Sequence, residues 1–513
     1  MPTPDLRQRT HHDRAASGPC DFPADESAGT YRQLVLDLSG PQAPQSPEPT
    51  TLGVLRGSGH QHRSVRTELR NNTLARMADG ENRFPGILGF EDTVLPQVER
   101  ALLAGHDIVF LGERGQGKTR LIRTLVGLLD EWTPVVAGCE INDHPYAPAC
   151  IRCRLLITEF GDDTPVAWRH RSQRFGEKLA TPDTSVGDLI GDVDPVKVAQ
   201  GRTLGDPETV HYGLIPRTNR GIFSVNELPD LAERIQVSLL NVLEERDIQV
   251  RGYLLRLPLD LFLVASANPE DYTNRGRIIT PLKDRFGAEV RTHYPLRLGD
   301  ELALIRQEAV LSWRESPLGL PTVPEHLLEV VARFTRLVRD APQVDRRSGV
   351  SARLSVAAVE TVAASAVRRA ALAGESVPTA RVVDLSAIVP AVRGKIEFDQ
   401  LEEGREDEIL AHLLRRALAE TFRARLAGTD LSGLQRRFEV DGPVETGDLV
   451  PAAELLRRVG PVPGFAAILG RLGIDGAESP GLAAAGLELA MEGLHLNRRL
   501  AKEELPGRTV YGG

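Results

Sequence analysis

The chain contains no run of about 18 apolar residues, the length a membrane-spanning helix needs, so no bilayer-crossing helix and no membrane partner are expected. It also lacks an excess of positive charge. Its 62 Lys and Arg face 71 Asp and Glu, a net charge of −9. Proteins that coat nucleic acid carry the opposite sign, so nucleic acid is not expected as a general partner, though a local basic patch stays open. Cysteine is scarce: four in 513 residues, too few for a disulfide scaffold. The opening stretch, Met1 to Arg14, has no apolar signal core, which points to the cytoplasm. At 513 residues, more than one domain is expected.

What is present begins with IVFLGERGQGKT, Ile108 to Thr119. Four apolar residues run into Gly112, and Gly117-Lys118-Thr119 completes a GxxxxGK[ST] pattern. The apolar positions Leu121, Ile122, Leu125, Val126 and Leu129 then follow a helical stripe. Strand, glycine-rich loop and helix in that order make a phosphate-binding loop. Glycines let the backbone close around a phosphate chain, and the exposed N–H groups favour an anion. The candidate nucleotide contacts are Gly112, Glu113, Arg114, Gly115, Gln116, Gly117, Lys118 and Thr119. In this pattern Lys118 reaches the β- and γ-phosphates, and the Thr119 hydroxyl binds Mg²⁺.

Residues 1–65 are rich in Pro, Gly, Ser, Gln and Asp and read as a disordered tail. Order is expected from Val65, with a helix carrying Val94, Leu95, Val98 and Leu102 on its inner face. The stretch from Thr133 to Tyr212 is long and irregular, with a strand at Val135 to Ala137. In it, Cys139, His144, Cys150 and Cys153 suit a tetrahedral zinc site. His170 is an alternative fourth ligand, and unlinked thiols in a surface loop are the competing explanation. Two unbroken apolar runs, Gly221 to Val225 and Leu261 to Ala265, read as strands buried on both faces. The first ends in Asn226-Glu227 and the second in Ser266-Ala267-Asn268, so these polar groups fall in the ligand crevice of an open parallel sheet. Between the runs lie an amphipathic helix, Leu231 to Leu243, and a hairpin, Ile248 to Pro258. Helical stripes follow at 300–313, 325–340, 351–373, 379–393 and 401–426, with short helices near 452–459 and 481–500. The expected class is α/β, a parallel sheet with helices on both faces, followed by helices.

Hydrolysis of a bound triphosphate needs an aimed water and a metal to neutralise charge. Glu227 is the natural base, and Asn268 can orient the same water. With these motifs the chain resembles the AAA+ ATPases, within them the group of MoxR and the magnesium-chelatase ATPase subunit, over about residues 84–395. Gly112 to Thr119 resembles their Walker A motif, GIFSVNELPDL from Gly221 their Walker B, and Asn268 in SANPEDY their sensor 1. Arg285 in PLKDRFG resembles the arginine finger, with Arg277 as a rival, and Arg353 in SGVSARL the sensor-2 arginine. The hairpin from Ile248 resembles the helix-2 insertion of the group, and TPDTSVGDLIGDVDP a segment of the chelatase subunits.

Composition and periodicity give a disordered tail at 1–65 and a helical C-terminal extension at 396–513; between them the resemblance implies an AAA+ α/β domain with a five-stranded parallel core at 66–295, with an insertion at about 138–212, and a helical lid at 296–395. It implies ATP and Mg²⁺, a homo-oligomeric ring, by analogy a hexamer, and a von Willebrand A-domain partner. The implied function is an ATP-driven motor that remodels a protein or aids cofactor or metal insertion. A magnesium-chelatase motor subunit of tetrapyrrole synthesis is one alternative. The chain departs from the family at Asn226, where Walker B normally has Asp. An amide lacks the full charge that holds Mg²⁺, so a weakly hydrolysing, nucleotide-responsive scaffold is another alternative. The chain contains neither a GAFTGA string nor an NKxD string, which counts against a polymerase-remodelling activator and a GTPase.

Overall fold

The computed structural model describes residues 45–48, 50–193, 199, 210–244, 248–250, 253–255, 257–269, 277–311, 318–345, 349–475, 479–505 and 507–512. Most of the expected N-terminal tail, residues 1–44, lies outside the described residues.

The centre is a five-stranded sheet. Its strands are β1 (Ile108–Leu111), β2 (Phe175–Leu179), β3 (Gly221–Asn226), β4 (Leu261–Ala267) and β5 (Ala288–Arg291). All pair in parallel, in the order β5–β1–β4–β3–β2. The three inner strands are short, apolar and buried. Because side chains alternate along a strand, each feeds two cores. Ile108, Phe110, Ile222, Phe262 and Val264 pack against the helices Val65–Ala78, Leu95–Ala104 and Lys118–Thr124. Val109, Leu111, Phe223, Val225, Leu263 and Ala265 pack on the other side with the helices Glu233–Glu244 and Thr280–Arg285.

Three expectations need correction. Order begins before Val65: Thr50–Thr51 pairs with Pro165 and Val166, and Thr51 caps a helix, Leu52–Gly57. Leu52 and Leu55 bury themselves against Val166, a contact made too far along the chain for local composition to reveal. Next, β2 lies inside the stretch expected to be an insertion. FGEKL is an edge strand buried on part of its surface, so it carries no continuous apolar run. The strand at Val135 does form, as Trp132–Val136, but it pairs with Pro165–His170 in a separate antiparallel sheet. Finally, the C-terminal extension is not wholly helical. Val444–Gly447, Ala501–Leu505 and Arg508–Gly512 form a three-stranded antiparallel sheet. Ala501–Leu505 is largely exposed and charged, and none of the three carries a continuous apolar run, so their residues do not mark them as strands.

The lid and the extension also share one interior. Leu302, Val330, Val359, Leu410, Leu455, Leu487 and Tyr511 belong to a single apolar cluster, so residue 395 marks no seam. The helices Glu325–Asp340, Arg353–Ala373, Glu406–Leu426 and Pro480–Leu496 supply most of it. Among the described residues no helix is long and apolar enough to cross a membrane.

One buried ion pair fixes the first long helix to the sheet edge. Arg174 donates to both oxygens of Glu68, at 2.7 Å each, and both side chains are under 5% exposed. Removing one partner strands the other charge in a dry interior. Arg174→Ala is therefore expected to lower stability by about 3–5 kcal/mol in urea denaturation. A loss within experimental error would show that Glu68 finds water or another donor.

Candidate functional site

The phosphate loop leaves β1 at Gly112, and its glycines are required by their surroundings. A Cβ at Gly112 would lie 2.0 Å from Thr292 Oγ1 and 2.3 Å from Gln116 Oε1. Gly115 and Gly117 adopt φ of 72° and 78°, a left-handed conformation that costs other residues energy. Lys118, at the head of the next helix, is 6% exposed. Its Nζ donates to the carbonyls of Gly112 and Glu113 and, at 2.8 Å, to Asn268 Oδ1. Asn268 Nδ2 in turn donates to Glu227 Oε2 at 2.7 Å. Lys118, Asn268 and Glu227 thus form one hydrogen-bonded run. It follows the sheet order, because β1, β4 and β3 are neighbours and end together. Glu227 has φ of 55°, unusual for a residue with a side chain.

Asn226, one residue earlier, is engaged sideways. Its Nδ2 donates to Glu177 Oε1 at 2.6 Å, and its Oδ1 accepts from Ser224 and Ser266. Glu177 sits on β2, and Arg123 from the phosphate-loop helix holds its other oxygen at 2.8 and 3.0 Å. Glu177 was missed in the sequence because its strand was. The side-by-side pairing of β2 with β3 brings this carboxylate next to Asn226.

The loop that precedes the helix Arg353–Ala373 meets the phosphate loop directly. A Cβ at Gly115 would lie 1.9 Å from Ser351 Oγ, and one at Gly349 3.0 Å from Glu113 Oε2. Tyr294 donates to the Arg114 carbonyl at 2.7 Å, and the Arg339 guanidinium lies 4.4 Å from the Tyr294 ring centre. Arg353 opens the next helix two residues past Ser351, with its side chain exposed. Arg285 closes the helix Thr280–Arg285 and pairs with Glu244 at 2.8 Å, both about half exposed. Arg277 is exposed, and its carbonyl accepts from Gln236.

No family model matches the chain. A magnesium-chelatase subunit ChlI of Anabaena variabilis is 29% identical over 189 residues, 36% of this chain and 52% of that protein. The magnesium-chelatase 38 kDa subunit of Rhodobacter capsulatus is 29% identical over 228 residues, 44% of this chain and 59% of that protein. The sheet order and the phosphate loop agree with this likeness. Over these stretches the chain is similar to magnesium-chelatase ATPase subunits, and its fold is that of an α/β P-loop domain. It spans about half the length of the curated relatives it matches. Among solved structures, the complex between subunits BchI and BchD of magnesium chelatase gives a TM-score of 0.33 at 22% identity, over 64% of this chain and 98% of that one. NtrX of Brucella abortus in complex with ATP gives 0.38 at 13% identity, over 71% of each chain. Both overlaps are slight.

Away from the phosphate loop, the same domain brings the three described cysteines together. Cys139, Cys150 and Cys153 converge with Asp143, not with His144. The reason is local backbone geometry. Gly138 and Asn142 have φ of 71° and 58°, and this turn delivers Asp143 to the thiols. His144, one residue on, lies among His60, His62 and Tyr146, with its Nε2 3.3 Å from His60 Nε2. Burial pushes the His144 imidazole down to about 2, with Arg220 adding to the effect. His170 packs on Trp132 and bonds Ser172, so it is no substitute.

The contact between the lid and the phosphate loop is testable through Gly115. Gly115→Ala adds a methyl where Ser351 sits and forces a side chain into a left-handed φ. It is expected to destabilise the chain by at least about 1 kcal/mol, read as a lower thermal midpoint. Ala at Gly117, where a Cβ has open space, tests strain alone and should cost less.

Proposed function

We propose that the chain is an ATP-binding, ATP-hydrolysing motor of the MoxR/magnesium-chelatase type. The observation that carries this reading is the run from Lys118 through Asn268 to Glu227. It joins a phosphate-binding cation, a neutral amide and a carboxylate base at the mouth of one sheet. The glycine cradle and the Thr119 hydroxyl fit a nucleotide with Mg²⁺, which together supply the transferable phosphoryl group and the charge to balance it. Gly112 to Thr119 grip the phosphates, Glu227 takes a proton from the attacking water, and Asn268 fixes that water's direction. Glu177 offers the negative charge that Asn226 cannot, with Asn226 as its hydrogen-bonded neighbour. This favours hydrolysis over a non-catalytic scaffold.

Arg285 acts in trans in this reading. Its pairing with the half-exposed Glu244 leaves it within reach of an adjacent subunit, in a ring that is a hexamer by analogy. Arg353 reports nucleotide state to the lid, whose loop already lies on Gly115. The motor works in the cytoplasm on a protein or a cofactor- or metal-insertion target, with a von Willebrand A-domain partner. The names of the relatives favour one more specific reading, a motor subunit of magnesium chelatase in tetrapyrrole synthesis.

Calorimetry with MgATP tests the core of this proposal. Wild-type protein should bind, and Lys118→Ala should not. Glu227→Gln should bind while its turnover falls by about 10²–10⁴-fold, the usual share of a general base. A wild-type chain with no affinity for MgATP would sink the reading. The Glu177 assignment has its own test. Glu177→Gln should raise the Mg²⁺ concentration needed for half-maximal turnover, and Asn226→Asp should lower it. An unchanged Mg²⁺ dependence in Glu177→Gln removes Glu177 from the site.

A further inference from the structure

Cys139, Asp143, Cys150 and Cys153 lie in the insertion between Trp132–Val136 and the sheet strand β2, and the proposed motor chemistry uses none of them. Their ligand atoms, three sulfurs and one carboxylate oxygen, all lie within 4.8 Å of one another. A tetrahedral zinc with bonds of about 2.3 Å to sulfur spaces its sulfurs about 3.8 Å apart, so only a small contraction separates this cluster from a closed shell. Three of the four are secluded, Cys153 at 0%, Asp143 at 1% and Cys150 at 7% exposure, and Cys139 is half-buried.

Two further observations point to a cation. Asp143 Oδ2 accepts from the Cys150 backbone N–H at 2.8 Å, yet Asp143 Oδ1 is buried with no hydrogen-bond partner. A buried carboxylate oxygen without a donor costs free energy unless something positive meets it. The sulfurs are also dressed as thiolates are. The Asp143 N–H points to Cys139 Sγ at 3.3 Å and the Cys153 N–H to Cys150 Sγ at 3.4 Å. Backbone donors to ligand sulfur orient it and temper its charge. Cys150 caps the ten-residue helix Ile151–Phe160, so its sulfur lies at the positive end of the helix. A disulfide would use two of the three thiols and leave both the third and the carboxylate unexplained.

We infer that Cys139, Asp143, Cys150 and Cys153 form a structural Zn²⁺ site. Thiolate sulfur selects a soft ion, and a closed four-ligand shell leaves no open position for catalysis. The thiols release their protons as the ion binds. Three thiolates and a carboxylate leave a net negative site. Arg169, bonded to the adjacent Asn142, and the buried Arg220 balance it from the next layer. The ion closes the loop from Cys139 to Cys153. That loop is already tied to the entry of β3, through Asn142 Nδ2 to the Arg217 carbonyl and Asn219 Nδ2 to the Ile141 carbonyl. The site therefore holds the insertion against the strand that ends in Asn226 and Glu227.

The test uses the full chain, purified without chelator and analysed for metal by mass spectrometry. About one zinc per chain is expected, one closed shell per site. Cys20→Ser, which removes the remaining cysteine, should leave that ratio unchanged. Co²⁺ exchanged into the wild type should show thiolate-to-cobalt charge transfer and the intense visible bands of tetrahedral geometry. Asp143→Asn should weaken zinc binding by about tenfold or more, since even outer-layer changes cost that much. His144→Ala should not. Because cysteine variants can fail to fold, the decisive result is the wild type's own metal content and cobalt spectrum. Zinc well below stoichiometric after growth in zinc-supplemented medium, with no cobalt–thiolate band, overturns the site. So does a Cys150–Cys153 disulfide in the freshly isolated protein, or a zinc affinity that falls with His144→Ala and not with Asp143→Asn.

Discussion

The side-chain amide of Asn268 holds the centre of this structure together. One end accepts from Lys118 and the other donates to Glu227. A residue with only donors or only acceptors could not make both contacts. The amide lies at the end of β4, so it depends on a strand order that sets β4 between β1 and β3. That order depends in turn on apolar runs too short and too continuous for anything but a doubly covered sheet. The polar cluster is thus a product of the two cores beneath it. A slip of one residue in β4 would turn the amide to the other side.

The inner sheet was legible because burial on both faces leaves a plain mark. IVFL, GIFSV and LFLVA carry no charge and stop at a glycine or a polar residue, and all three became inner strands. The long helices were legible for a related reason: a one-sided apolar stripe fixes both type and length, as at Glu325–Asp340. Edges were not. β2 reads FGEKL because one flank of it meets solvent, and Ala501–Leu505, an edge of the C-terminal sheet, reads AKEEL for the same reason. Where water completes a strand's surroundings, the residues need not announce it.

The candidate site divides in the same way. Lys118, Glu227 and Asn268 were legible because each stands at the end of a strand or in a glycine frame. Glu177 was not, since its relevance comes only from lying beside Asn226 across the sheet. The cysteines were legible as a set, but spacing chose His144 over Asp143. Spacing alone cannot resolve adjacent residues when a left-handed turn at Asn142 decides which one faces inward.

The continuous interior from Leu302 to Tyr511 has a mechanical meaning. Close-packed side chains resist shear, so a body without an internal seam rotates whole or not at all. Ser351, where that body rests on Gly115, sits between Val350 and Leu354 of the same interior. The β-ribbon Ala501–Leu505 and Arg508–Gly512 travels with it, because Tyr511 is rooted in the same interior. The C-terminal sheet is then tied through packed side chains to the loop that touches the glycines.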